Sequence, residues 1–280
     1  MLIFKHINDI GNYLTALQAN ATKTGFVPTM GALHPGHVSL IAESKKNNDA
    51  VVSSIFVNPT QFNNTNDFDK YPSTIEQDIY VLEKGGCDVL FLPSVKEMYP
   101  KGLTPAKQYD LGYLETVLDG AYRPGHFQGV CRVVEKLLTI VHPDNLFLGQ
   151  KDYQQCMVIK KLSALMKADI EIIICPTLRE PDGLAMSSRN LRLTDAHRKK
   201  APLIYKTLQF IQQNIRPGYL NDLKERAANY LTAEGFKVDY IEITDASTLA
   251  LIETWDGKTS LVALAAAFIG EVRLIDNLLL

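Results

Sequence analysis

Two imidazoles three residues apart, in His34-Pro35-Gly36-His37, stand just after an apolar run and just before an amphipathic one. Residues i and i+3 at a helix start share a face. A helix N-terminus also offers unpaired N–H groups and a positive dipole end, which suit phosphate. Such a pair would hydrogen-bond phosphate oxygens and steady charge at a phosphorus under attack. The other reading is a turn whose histidines merely cap or pack; the position after the first strand favours the phosphate reading. A second constellation, Met186-Ser187-Ser188-Arg189, ends the run Arg179 to Ala185. Small hydroxyls, loop N–H groups and a guanidinium can wrap a triphosphate. Its alternative is a linker with solvated charges.

The elements that must position these residues are legible as alternating short apolar and amphipathic runs up to about residue 185. Strands are predicted at Gly25–Met30, Ala50–Val57, Asp88–Pro93, Asn145–Leu148 and Glu171–Pro176. They are rich in Val, Ile, Phe and Leu and alternate weakly, as strands buried on both faces do. Helices are predicted at His37–Asn47, Thr74–Lys84, Phe127–Val141 and Tyr153–Lys167. Ser73-Thr74-Ile75-Glu76 offers a capping box and Gly85-Gly86 a stop. The series implies an α/β fold with a Rossmann-like parallel sheet, whose ligands sit beyond the carboxyl ends of the strands. The polar and glycine-rich segments follow strands as that rule requires.

From about Asn190 the pattern changes. Long helices are expected at Asp195–Ile215 and Asn221–Ala233, and strands at Lys237–Thr244, Ser260–Ile269 and Glu271–Ile275. The expected division is therefore 1–185 and 186–280, the second part a smaller C-terminal α+β domain. Its start beside Met186 makes a lid over bound nucleotide the expected role.

The chain has 280 residues, a net charge of −2, 46% hydrophobic and 21% charged residues, which is ordinary for a globular protein. That balance gives no general attraction to nucleic acid or acidic membranes. The longest apolar run, Leu261 to Gly270, is about half of what spanning a bilayer needs. With no signal-peptide pattern at the start, a cytoplasmic location is expected. Cys87, Cys131, Cys156 and Cys175 lie far apart without a CxxC, so buried thiols are expected.

Taken together, HPGH and MSSR resemble the HIGH and KMSKS signatures of the nucleotidylyltransferase superfamily, with Ala185 where the second signature has lysine. The finer resemblance is to the pantothenate synthetase family. PTMGALHPGH, FVNPTQF, YPSTIEQD, RPGHFQGV, GQKDYQQ and REPDGLAMSSRN match its blocks in order, over essentially the whole chain. The resemblance implies ATP-dependent adenylation of pantoate, release of pyrophosphate, then attack by β-alanine with loss of AMP.

By the same resemblance, His34 and His37 are the catalytic pair, and Met30, Gly31, Ala32, Leu33, His34, Pro35, Gly36 and His37 form a nucleotide-binding loop. Gly149, Gln150, Lys151 and Asp152 match an ATP-binding turn, Leu178 a backbone contact to adenine, and Met186, Ser187, Ser188 and Arg189 a phosphate grip. Gln61 and Gln155 match pantoate contacts, Gln61 also reaching β-alanine. Mg2+ is implied by the ATP chemistry, with Asp78 as the matching acidic position, in a one-carboxylate or water-mediated site. A homodimer is implied too. Arg123 and His126 stay open between bracing a substrate and bracing their own loop.

Overall fold

The computed structural model describes residues 1–62, 71–103 and 107–280. The chain forms two compact units. The first comprises Met1–Gly149 with Val158–Cys175, the second Gln150–Met157 with Pro176–Leu280.

The first unit is built on six parallel strands: β1 (Leu2–Phe4), β2 (Thr24–Thr29), β3 (Ala50–Ile55), β4 (Val89–Phe91), β5 (Asn145–Gly149) and β6 (Glu171–Cys175). Their order is β1-β4-β3-β2-β5-β6. The chain steps outward from β2 through β3 to β4, then returns to the other side of β2 for β5. The strand order therefore reverses at β2 and β5, where sheets of this kind bind ligands.

Burial follows from the pleat. Val27, Val51, Leu90 and Phe147 face Leu40 and Ile41 of α2 (Pro35–Asn47) and Leu82 of α3 (Ile75–Lys84). Their neighbours Phe26, Val52 and Leu146 point the other way and are equally buried. With both faces covered, the runs are largely apolar, and a buried exception such as Ser53 donates its hydroxyl to a backbone carbonyl, that of Val27.

Three local expectations are corrected. β1 and α1 (Ile7–Ala19) are absent from the sequence reading; β1 is a three-residue edge strand with Leu2 and Ile3 exposed, too short for a pattern. The predicted long helix from Asp195 is broken. Asp195–Lys200 ends before Pro202, and α6 (Leu203–Asn214) begins after it. Proline lacks the N–H that would continue the ladder. The proposed capping box on α3 does not form either. Thr74 is the N-cap, but its hydroxyl bonds the Asp78 carboxylate instead of the backbone. The other predicted elements are present with ends shifted by a few residues, and Gly85 with Gly86 (φ 85°) stops α3.

The two remaining long helices around the sheet's later crossings are α4 (His126–Val141) and α5 (Tyr153–Met166). The first turn of α5 belongs to the second unit.

In the second unit, β7 (Gly218–Tyr219) and β9 (Thr254–Trp255) form a short antiparallel pair. The larger antiparallel sheet contains β8 (Lys237–Asp245), β10 (Leu261–Ile269) and β11 (Val272–Leu279), in the order β11-β10-β8. Against it pack α6 and α7 (Asn221–Ala233). Leu223, Ala227 and Leu231 recur at helical spacing on the buried stripe of α7. They meet Ile241, Ile243, Ala263, Ala265 and Ala267 in one core. Alanine is a poor strand former, yet β10 is central and buried. Its small side chains leave room for the helices, and packing outweighs propensity.

Candidate active site

The strand β2 ends at Thr29, and the chain turns through Met30–Leu33 into α2. The turn needs two consecutive left-handed residues, Gly31 (φ 84°) and Ala32 (φ 49°). A Cβ on Gly31 would lie 3.0 Å from Asp78 Oδ2 and 3.2 Å from Ile55 Cγ2. Ala32 N–H donates to Asp78 Oδ2 (2.9 Å) and Leu33 N–H to Asp78 Oδ1 (2.8 Å). Thr74 Oγ1 reaches the same Oδ1 at 3.1 Å.

Beyond this turn His34 is the N-cap of α2, with Pro35 at N1. His34 Nδ1 accepts from Gly36 N–H at 3.2 Å, and His34 N–H donates to His37 Nδ1 at 3.3 Å. The two rings lie 4.0 Å apart between centroids, tilted by 41°. The histidines therefore cap the helix. Capping and phosphate chemistry are compatible, because a ring nitrogen that accepts carries no proton. In each neutral ring the proton then sits on Nε2, which is the donor a phosphate oxygen needs.

Gln61 lies in a short turn after β3 and is only 9% exposed, which a solvated surface amide would not be. Its Oε1 accepts from Asn58 Nδ2 (3.2 Å), and its Nε2 donates to Met30 Sδ (2.8 Å). Fully buried Asn58 is a hub, since its Nδ2 also bonds Gly129 O, while its Oδ1 accepts from Tyr99 and Thr60. From below, Arg123 Nη1 donates to His126 Nε2 (3.0 Å), so the proton of His126 is on Nδ1 and donates to Gln61 O (2.8 Å). A Cβ on Gly129 would lie 2.1 Å from Thr60 O. RPGHFQGV thus braces the turn that carries Gln61. The sequence reading left Arg123 and His126 open and missed Asn58, although all three sit inside its matched blocks.

In the second unit, Asn277 Nδ2 donates to the carbonyls of Gln150 and Lys151, each at 2.9 Å, and Gln150 Nε2 donates to Asn277 Oδ1. Lys151 Nζ lies 3.7 Å from Asp152. Tyr153 donates to Ala246 O at 2.7 Å, and burial raises the pKa of its hydroxyl, keeping it a donor. Gln155 lies half-buried on the first turn of α5.

Leu178 is 40% exposed, and its carbonyl accepts from Met186 N–H at 3.0 Å, closing the segment between them into a narrow loop. That loop is held by Arg179, which forms two bonds to Asp276 (2.6 and 2.9 Å), donates to Gly183 O, and stacks on Tyr205 at 3.6 Å. Burial pushes the Asp276 carboxyl up, and Arg179 opposes it. Ser187 Oγ accepts from Arg189 N–H and caps the turn Ser188–Arg192. Asp276 and Asn277 went unread in the sequence. Their signal was an Asp-Asn pair inside the apolar run of β11.

Within the first unit the fold thus joins the Met30–His37 loop to Gln61. Within the second it joins Gln150 and Lys151 through Asn277, and Leu178 to Met186. The donor set at Asp78 does not fit a direct Mg2+ ligand. The residue is 1% exposed and three donors already occupy its oxygens, whereas Mg2+ keeps several waters. Among the described residues no group of three His, Cys, Asp or Glu is placed to hold a metal ion. No helix of the described residues is long and apolar enough to cross a membrane.

Residues 2–279 match the family model described as Pantoate-beta-alanine ligase. The chain is 44% identical over 283 residues to the pantothenate synthetase of Cytophaga hutchinsonii, covering 100% of this chain and 99% of the relative. It is 46% identical to that of Shewanella oneidensis, covering 99% of each. Among solved structures, pantothenate synthetase from Thermus thermophilus superposes with a TM-score of 0.90 at 37% identity, covering 99% of each chain. Pantoate-beta-alanine ligase from Francisella tularensis, complexed with beta-gamma ATP and beta-alanine, gives 0.84 at 42% identity, over 100% of this chain and 97% of that one. A six-strand parallel sheet with its histidine pair at the switch point, and matches end to end, lead to one conclusion: the chain belongs to the pantoate-beta-alanine ligase family.

Proposed function

We propose that the loop after β2 carries the reaction of the family, the ATP-dependent condensation of pantoate with β-alanine to pantothenate. The observation that supports it most is the His34–His37 pair capping α2 with both Nδ1 atoms turned to backbone N–H groups. In the first step the pantoate carboxylate attacks the α-phosphorus of ATP, a new O–P bond forms, and pyrophosphate leaves. Negative charge then builds on phosphate oxygens. The two Nε2–H donors and the N-terminal dipole of α2 oppose it. In the second step the β-alanine amine attacks the acyl carbon, and AMP leaves with the bonding pair. No protein nucleophile is needed, so catalysis rests on positioning and fixed charge.

In this reading Gln61 and Gln155 hold pantoate, and Gln61 also meets β-alanine. Gly149, Gln150, Lys151 and Asp152 hold ATP, Leu178 lines adenine, and Met186–Arg189 grip the phosphates. Mg2+, when bound to ATP, neutralises phosphate charge; the protein residues act on the substrates directly. A homodimer, supported by the family resemblance, and a lid role for the C-terminal domain (186–280), supported by its start beside Met186, belong to the same proposal. Light scattering reads the first. For the second, the radius of gyration is expected to fall when ATP and pantoate are added, and an unchanged value removes the lid.

The central test is incubation with ATP, Mg2+ and pantoate, with and without β-alanine, following AMP, pyrophosphate and product mass. Pantothenate with equimolar AMP, formed only when both acids are present, is the expected result. ATP bound and never turned over would reject the proposal.

A further inference from the structure

We infer that Asp78 is a positioning residue, a buried carboxylate clamp that fixes the Gly31–Leu33 turn and through it the His34–His37 pair, and does not ligate a metal. Its bearing on nucleotide rests on the role proposed above for that loop.

An ionised carboxylate has about four lone-pair sites. Ala32 N–H, Leu33 N–H and the Thr74 hydroxyl occupy three at Asp78. The residue is 1% exposed and lies in the first turn of α3, where the helix dipole favours its charge. The loop on its other side needs an anion. Gly31 and Ala32 are successive left-handed residues, and Ala32 holds that conformation against its own Cβ. Such strain persists only where the surroundings over-determine it. Here successive N–H groups converge on one carboxylate, as in an anion-binding nest. The nest is filled by the protein's own side chain, so those N–H groups are committed before any phosphate arrives. What the loop then presents to a nucleotide is the capped end of α2, one residue further on. Gly31 is the residue that permits this, since a Cβ there would press on Asp78 Oδ2 at 3.0 Å.

The test uses amide hydrogen exchange of the full chain in metal-free buffer, comparing wild type with Asp78→Asn and Thr74→Val. An amide at Asp78 can no longer accept from both backbone N–H groups. Exchange at Ala32 and Leu33 is expected to rise roughly 10- to 100-fold in D78N, with Phe26 and Val27 of β2 still protected. T74V, which removes only the Thr74 bond, is expected to raise exchange at the same two amides by a smaller factor. It carries the test should D78N fail to fold. ATP affinity of the variants is expected to stay weakened as Mg2+ is raised. Unchanged exchange at Ala32 and Leu33, or a deficit that excess Mg2+ repairs, would overturn the clamp. Absence of pantothenate formation by wild type would instead reject the functional proposal and leave the exchange result standing.

Discussion

At the scale of single residues, the proposed function gives each imidazole of the HPGH turn two jobs, one for each ring nitrogen. Nδ1 is turned to backbone N–H groups and fixes the ring, so in the neutral ring the proton sits on Nε2. On the proposed function, replacing His37 with alanine removes a phosphate donor along with a capping contact. AMP formation is expected to fall by about 10²–10³-fold, the effect of losing one fixed donor to a developing anion, with the folded state retained by circular dichroism. The cysteines make the opposite case, of chemistry withheld by packing. All four are buried and none forms a disulfide. Burial pushes the thiols of Cys87 and Cys131 from 9.0 to about 12 and that of Cys175 to about 11. Neutral, enclosed thiols react poorly, so a thiol reagent at pH 8 is expected to titrate four cysteines only after denaturation. The sign of the linkage is fixed as well. Well below pH 9 the thiols of Cys87, Cys131 and Cys175 are protonated both folded and unfolded. Above it the unfolded chain releases protons first, so stability falls as pH rises from 9 toward 11–12, by at most about 1.4 kcal/mol per thiol per pH unit. Urea midpoints at pH 8 and pH 10 check this.

At the scale of elements, the site depends on one helix pressing against one turn. Gly129 of α4 lies against the Thr60 carbonyl so closely that a methyl group would sit 2.1 Å from it. Backbone on both sides leaves nothing flexible to give way. Gly129→Ala must push the turn at Gln61 outward, breaking the bonds from Asn58 and His126. The expected result is a rise of about tenfold or more in the KM for pantoate, equivalent to losing one buried hydrogen bond, and a smaller change in that for ATP. Equal changes in both would show that the turn does not serve pantoate. This contact was invisible in sequence because it joins residues 69 positions apart, whereas the blocks that contain them were readable separately. Local signals served well where they were strong, as at Gly85-Gly86. They failed at Ser73–Glu76, where the helix starts one residue later on Thr74 and the Thr74 hydroxyl goes to buried Asp78, and at β1, where three residues carry too little pattern.

At the scale of the whole molecule, the last strand of the chain holds segments more than ninety residues before it. Within the second unit, Asp276 and Asn277 of β11 anchor Arg179 and the carbonyls of Gln150 and Lys151. Asp276→Ala leaves the Arg179 guanidinium, 17% exposed, without its counter-charge. Loss of a buried pair's partner costs about 3–5 kcal/mol, so a large fall in the unfolding midpoint is expected. Asn277→Ala is expected to leave the midpoint closer to wild type and to raise the KM for ATP, because it frees the turn at Lys151 without stranding a charge. Thermal denaturation and steady-state kinetics on the two variants separate these effects.

Residue types and order in the chain by themselves determined that apolar strands alternate with helices, that HPGH and MSSR follow strands, and which family's blocks the chain carries. These are local or one-dimensional properties, set by periodicity, by turn chemistry and by the order of motifs. The tertiary structure alone decided that strand order reverses at β2 and β5, that Asn58 and His126 hold Gln61, that β11 ties the turn at Lys151, and that Asp78 faces a loop of its own chain. Each of these depends on groups far apart in sequence whose meeting follows from burial: a polar atom removed from water must find a partner, and only the folded chain determines which one is within reach.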